Sequence, residues 1–152
     1  MARSVREVSL QDVGLAVKRL QWRHHREANG RLLAAVGLSL PQWDVLRHLH
    51  ERPGASLHEL AQLTFQTDQS MGTLAGRMIE RGVLERVAGP GRAVRHAITP
   101  AGERARRAGS EIMDGVLAES VGSLSPAERV TLYRLLTAAV SAPGPGAERG
   151  QA

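Results

Sequence analysis

Residues 56–81 hold two helical patterns, the first too short to be stable alone, separated by only two or three residues around Phe65-Gln66. Ser56-Leu-His-Glu59 is a capping box that starts the first, with Leu57, Leu60, Ala61 and Leu63 as its apolar residues. Thr67 caps the second, in which Met71, Leu74, Ala75 and Met78 fall at i, i+3, i+4 and i+7, and Gly82 suits the C′ position. Helices joined so tightly must cross and share one core, which is a helix-turn-helix. The period then changes. Leu84 to Val87 and Ala93 to Ile98 read as short strands about a tight turn at Gly89-Pro90-Gly91, with Val94, His96 and Ile98 on one face. A crossed helix pair followed by a hairpin is a winged helix-turn-helix pattern.

Longer helices flank this unit. Leu10, Val13, Val17 and Leu20 make one stripe of a helix from about Ser9 to Val36, continued weakly by His24, Ala28, Leu32 and Ala35. Ser39-Leu-Pro-Gln42 is a second capping box, opening a helix to about Glu51 that turns Trp43, Leu46 and Leu49 inward before Pro53-Gly54 breaks it. Thr99-Pro100 starts a helix to about Val121 with a narrow seam of Ala101, Ala105, Ala108, Ile112 and Val116. Ser125-Pro-Ala-Glu128 starts the last, carrying Val130, Tyr133, Leu136 and Val140. The expected fold is mainly α with a small β-hairpin: a winged helix-turn-helix core over residues 39–99, flanked by long N-terminal (8–38) and C-terminal (100–141) dimerisation helices. Residues 142–152, rich in proline and glycine, are expected to form a flexible tail. The terminal stripes would lie exposed on a single chain, so a homodimer is expected. Two-fold symmetry would set its recognition helices about 34 Å apart.

Composition removes several function classes. The 152 residues include no cysteine, so thiolate metal sites, disulfides and cysteine catalysis are excluded. Two Trp, one Tyr and one Phe are too few for a platform that stacks RNA bases. No run of 18 apolar residues occurs, so no membrane association is expected. No apolar signal core follows the N-terminal charges, so the expected location is cytoplasmic. Catalytic spacings such as HExxH or a phosphate-binding glycine loop are missing, so no enzyme and no cofactor is expected. His24-His25 and the His48/His50 pair lack the i, i+3 or i+4 spacing of helical metal ligands, so no metal site is assigned. The net charge of +5 is weak evidence by itself in a chain this rich in arginine. Its distribution says more: residues 81–107 hold seven basic groups against two acidic ones.

The second short helix suits a DNA groove. Asp68, Gln69 and Ser70 form its exposed N-terminal turn, followed by Thr73 and Arg77. Gln69 can bind adenine through both amide atoms, and Ser70 and Thr73 can serve several base edges. Arg77 is placed to hold a phosphate, as are the backbone N–H groups at Ser56 and Thr67. Arg92 at the hairpin tip and Arg95 on its return strand suit the minor groove. The partner read from these residues is double-stranded DNA.

Residues 40–103 resemble the winged helix-turn-helix of the MarR family of transcription regulators. The resemblance is carried by Leu60-Ala-Gln-Leu63, by Met71-Gly-Thr-Leu-Ala-Gly-Arg-Met-Ile-Glu-Arg-Gly-Val-Leu84 and by Ile98-Thr-Pro-Ala-Gly102. With the flanking helices it covers about residues 8–141. It implies a symmetric homodimer, a palindromic operator, and repression relieved by a small-molecule effector. The family's wing aspartate is missing from Gly89-Pro-Gly-Arg-Ala93, and its basic residue midway along the recognition helix is Thr73 here. The resemblance puts the effector where the first, second and fifth helices meet, with Trp22, His25, Arg26, Trp43 and Arg47 as candidates for an aromatic acid. Trp22 and Trp43 serve equally well as core. The alternatives are a metal-responsive regulator and a winged-helix protein-interaction module that binds no DNA.

Overall fold

The computed structural model describes residues 7–142. The order is α1 (Leu10–Val36), α2 (Leu40–Glu51), α3 (Leu57–Leu63), α4 (Asp68–Glu80), β1 (Leu84–Ala88), β2 (Val94–Ile98), α5 (Pro100–Ala118), a 3-10 turn (Val121–Ser123) and α6 (Pro126–Ser141). Of the expected tail, residues 143–152 lie outside the described residues. Residues up to Val116 form one compact unit and those from Leu117 a second.

Caps set the helix starts. Ser39, Ser56 and Ser125 each accept from the N3 backbone N–H while the N3 side chain returns a bond. Ser9 does the same with Asp12, whose carboxyl those bonds hold below its usual range. Gly37 ends α1 in the left-handed region at φ 67°, with its N–H on the Leu33 carbonyl. Three residues later the free Leu40 N–H of α2 bonds Asn29 Oδ1 of α1 at 2.9 Å.

The main core joins α2, α3, α4 and the base of the hairpin. Val45, Leu46, Leu60, Met71 and Met78 are fully buried in it, with Leu49, Val83 and Leu84 closing the sides. A smaller core gathers Ala28 and Leu32 of α1, Trp43 of α2 and Val116 of α5. The Trp43 Nε1–H donates to the Arg106 carbonyl at 3.0 Å. The hairpin is antiparallel, with Leu84 opposite Ile98, Arg86 opposite His96 and Ala88 opposite Val94.

Two sequence expectations, both on α5, need correction. α5 ends at Ala118 instead of near Val121, where the Ser120 N–H turns back to the Leu117 carbonyl. Its buried line is Gly102, Gly109 and Val116, with Ala105, Ala108 and Ile112 at its edge and Ala101 exposed. Glycines set this face because a Cβ at Gly102 would strike the Val83 carbonyl, and one at Gly109 the Trp43 indole. The terminal stripes lie exposed on the single chain. Leu10, Val13 and Val17 are 92, 52 and 47% exposed, and α6 buries no residue, with Val130, Tyr133 and Val140 at 69, 74 and 86%. In the hairpin, His96 is buried but Val94, near the tip, is exposed.

One ion-pair cluster anchors the start of α5. Glu103 accepts from Arg106 at 2.6 and 2.9 Å and from Arg107 at 3.3 Å. The Arg106 bond, chiefly, lowers its pKa from 4.5 to about 2. A carboxylate shifted this way stabilises the fold above its unfolded pKa and loses that contribution as pH falls. Denaturation midpoints of the wild type and of Glu103→Gln should therefore differ at neutral pH, and the gap should close between about pH 4.5 and 2. A gap unchanged at acid pH would show that the carboxylate's charge is not what stabilises.

Candidate nucleic-acid interface

The turn between α3 and α4 fixes the site. The Gln66 N–H reaches back to the Ala61 carbonyl at 2.8 Å, and Phe65 takes the left-handed region at φ 56° with its ring 97% exposed. A bulky residue rarely adopts that conformation. Met71, Ala75 and Met78 then anchor α4 in the core and turn its opposite face outward.

The expected contact residues divide into engaged and free groups. Ser56 Oγ accepts from the Glu59 N–H at 3.1 Å, and the returning bond from the Ser56 N–H lowers the Glu59 pKa. Thr67 Oγ1 accepts from the Ser70 N–H at 3.1 Å and donates to Ser70 Oγ at 2.9 Å. The Thr73 hydroxyl donates to the Gln69 carbonyl at 3.2 Å, which leaves its lone pairs outward. Asp68 is held by His58 Nδ1 at 3.0 Å from both carboxylate oxygens. Gln69 is exposed, and its amide has no hydrogen-bond partner in the protein among the described residues. Arg77 is also exposed and makes no ion pair there.

His58 has no counterpart among the sequence-derived candidates. It sits ten residues from Asp68, and only the crossing of α3 over α4 brings the two together. The bond turns the Asp68 carboxylate toward α3.

The wing is compact at its tip. The Gly89 N–H bonds the Ala93 carbonyl at 2.8 Å, and Gly91 takes φ 61°. Gly89 is required by close approach, since a Cβ there would lie 2.8 Å from Arg95 Cγ and 2.9 Å from the Ala93 oxygen. Arg95 thus lies back across the turn, half-exposed. Arg92 stands exposed at the tip with no ion-pair partner among the described residues.

The effector candidates do not line one cavity within a chain. Trp43 is 5% exposed and belongs to the smaller core. Arg47 lies 6.0 Å from its ring centroid but is bonded to Asp44 and Glu51. Trp22 is 61% exposed on α1, stacked on His25 at 6.1 Å, and Arg26 beside them pairs with Glu27 at 3.3 Å. Among the described residues no three His, Asp or Glu side chains gather as a metal would need, and no helix is long and apolar enough to cross a membrane.

Residues 36–93 match the model of the MarR family. Among solved structures, a MarR family transcriptional regulator from Rhodococcus sp. RHA1 is similar at 20% identity and TM-score 0.77, over 89% of this chain and 97% of that one. The Mycobacterium tuberculosis MarR family protein Rv2887 in complex with DNA is similar at 23% identity and TM-score 0.69, over 90% and 100%. The same protein in complex with p-aminosalicylic acid aligns at 25% identity and TM-score 0.69, over 84% and 98%. No curated protein matches the chain significantly.

Proposed function

We propose that the chain is a DNA-binding transcription regulator of the MarR family, whose model its residues 36–93 match, acting as a homodimeric repressor on a palindromic operator and released by a small aromatic or phenolic ligand. The observation that carries this reading is the division of labour on one surface. A nearly neutral α4 presents the unengaged Gln69 beside Ser70 and Thr73, while the exposed cations Arg77 and Arg92 flank it. Such a face reads base edges with amide and hydroxyl groups and holds the backbone with arginines. Ser56 and Thr67 act through the caps they make, which aim the α3 and α4 N-termini, whose backbone N–H groups suit phosphates, while Asp68 ties α4 to α3 through His58. The similar Rv2887 structure in complex with DNA supports the choice of partner.

Two copies supply what one lacks. The exposed stripe of α1 and the unburied α6 offer apolar surface of the kind a second chain covers. For the effector, the p-aminosalicylic acid complex of Rv2887 supports an aromatic acid. On this chain the exposed Trp22–His25 stack offers it a ring and the neighbouring Arg26 a cation, and Trp43 and Arg47 are the further candidates on α2.

Gln69→Ala should lose about 1–3 kcal/mol of discrimination at one base position in each half-site, because a bidentate amide contact is worth that much. Competition with duplexes that vary one base pair at a time measures it. An equal loss on every sequence would make Gln69 a backbone contact instead.

A further inference from the structure

The turn that joins α3 to α4 carries a side chain that the fold does not use. α3 ends in a Schellman motif: the Gln66 N–H bonds the Ala61 carbonyl at 2.8 Å and the Phe65 N–H the Gln62 carbonyl at 3.4 Å. The residue between Thr64 and Gln66 must then be left-handed, and Phe65 takes that conformation at φ 56°. Glycine is the usual residue there because it has no Cβ to strike the backbone. Thr64 helps to close the turn without the ring, buried and with its hydroxyl on the Leu60 carbonyl at 2.7 Å.

Phenylalanine is unfavourable here on two counts. A bulky side chain in the left-handed region strains the backbone, and such strain concentrates where a chain acts. The ring is also 97% exposed, the most exposed large apolar side chain among the described residues. A ring held in water at a strained position gains only from what it meets outside the chain. Its place selects the partner. Phe65 lies two residues before the Thr67 cap and four before Gln69, at the end of α4 read as entering the major groove. Thr67, Asp68, Gln69 and Ser70 are all exposed beside it, so the chain leaves this approach open. The apolar group that the major groove displays is the 5-methyl of thymine, and phenylalanine is among the side chains that contact it.

We propose that Phe65 is a specificity-determining residue of the DNA interface, its ring seated on the methyl group of one thymine in each half-site. The inference rests on the reading of α4 as the DNA-reading helix and adds to it a base contact from the turn. The Schellman bonds fix the backbone that carries the ring, so little freedom is lost on binding. Phe65 and Gln69 then read the groove with different chemistry, one apolar and one polar.

The test uses the full chain, the duplex it selects from random DNA, and copies of that duplex with deoxyuridine for thymidine at one symmetric pair of positions at a time. Deoxyuridine removes only the methyl group. At one pair the exchange should weaken the wild type about tenfold, the sum of two methyl contacts in the proposed homodimer. Phe65→Gly should bind the parent duplex about as weakly and lose the response at that pair. It should also unfold at an equal or higher urea midpoint than the wild type, because glycine relieves the strain. Phe65 is the one phenylalanine of the chain, so 4-fluorophenylalanine gives a single 19F resonance. That resonance should move on binding the parent duplex and move less with the deoxyuridine copy. A deoxyuridine response identical in both proteins at every thymine, on a duplex whose selection still depends on Gln69, would overturn this inference alone. So would a lower midpoint in Phe65→Gly or an unmoved fluorine resonance. Enrichment of no site by the wild type would overturn it together with the reading of α4.

Discussion

Raising the salt from 50 to 200 mM is expected to weaken operator binding about a thousandfold. The estimate follows from charge. In the proposed homodimer, Arg77, Arg92 and Arg95 of each protomer would give six phosphate contacts, and each released counterion contributes about 0.9 to the slope of log affinity on log salt. The protein has little else to soften that dependence: Arg77 and Arg92 are exposed and make no ion pair among the described residues. Arg92→Ala should lower the slope by about two, one cation from each protomer, and weaken binding most on narrow A·T minor grooves. A slope unchanged in Arg92→Ala would mean that the short Gly89–Ala93 tip does not reach the DNA.

The second large effect is on the fold. Trp43→Ala should cost about 3–5 kcal/mol, the usual range for removing a buried indole. Two losses combine. The indole fills the space between Ala28, Leu32 and Val116, and its Nε1–H satisfies the Arg106 carbonyl at 3.0 Å. Gly109 is shaped to this ring, so nothing on α5 can collapse into the gap. Against a typical domain stability of about 5–15 kcal/mol this is a severe change, read as a shift in the urea midpoint. A loss under about 1 kcal/mol would show that the ring is not packed as described. The same result bears on the effector: a Trp43 that holds the core is a wall of any ligand site, not a mobile contact.

Local rules made much of the architecture legible. Capping boxes at Ser39, Ser56 and Ser125, the cap at Thr67 and Gly82 in the left-handed region are read from four or five adjacent residues, and each starts or ends its helix where expected. The hairpin followed from alternation and its turn. What stayed hidden depends on contacts between segments distant in sequence. The face of α5 was misjudged because alanines looked like the seam, whereas Gly102 and Gly109 let Val83 and Trp43 approach closest. The His58–Asp68 pair needs α3 to cross α4. In the site itself, sequence marked the polar residues of α4 but not which are spent on caps. Thr67 and Ser70 bond each other, and Gln69 remains free to act outward.

Selection of bound fragments from random duplex DNA, run in parallel with the wild type and Gln69→Ala, tests the central claim most directly. The account predicts enrichment by the wild type of a palindromic site whose half-sites are centred about one helical turn apart, and loss of preference at one symmetric position in the variant. Binding of every duplex with the same affinity, or an identical enriched site from both proteins, would contradict it.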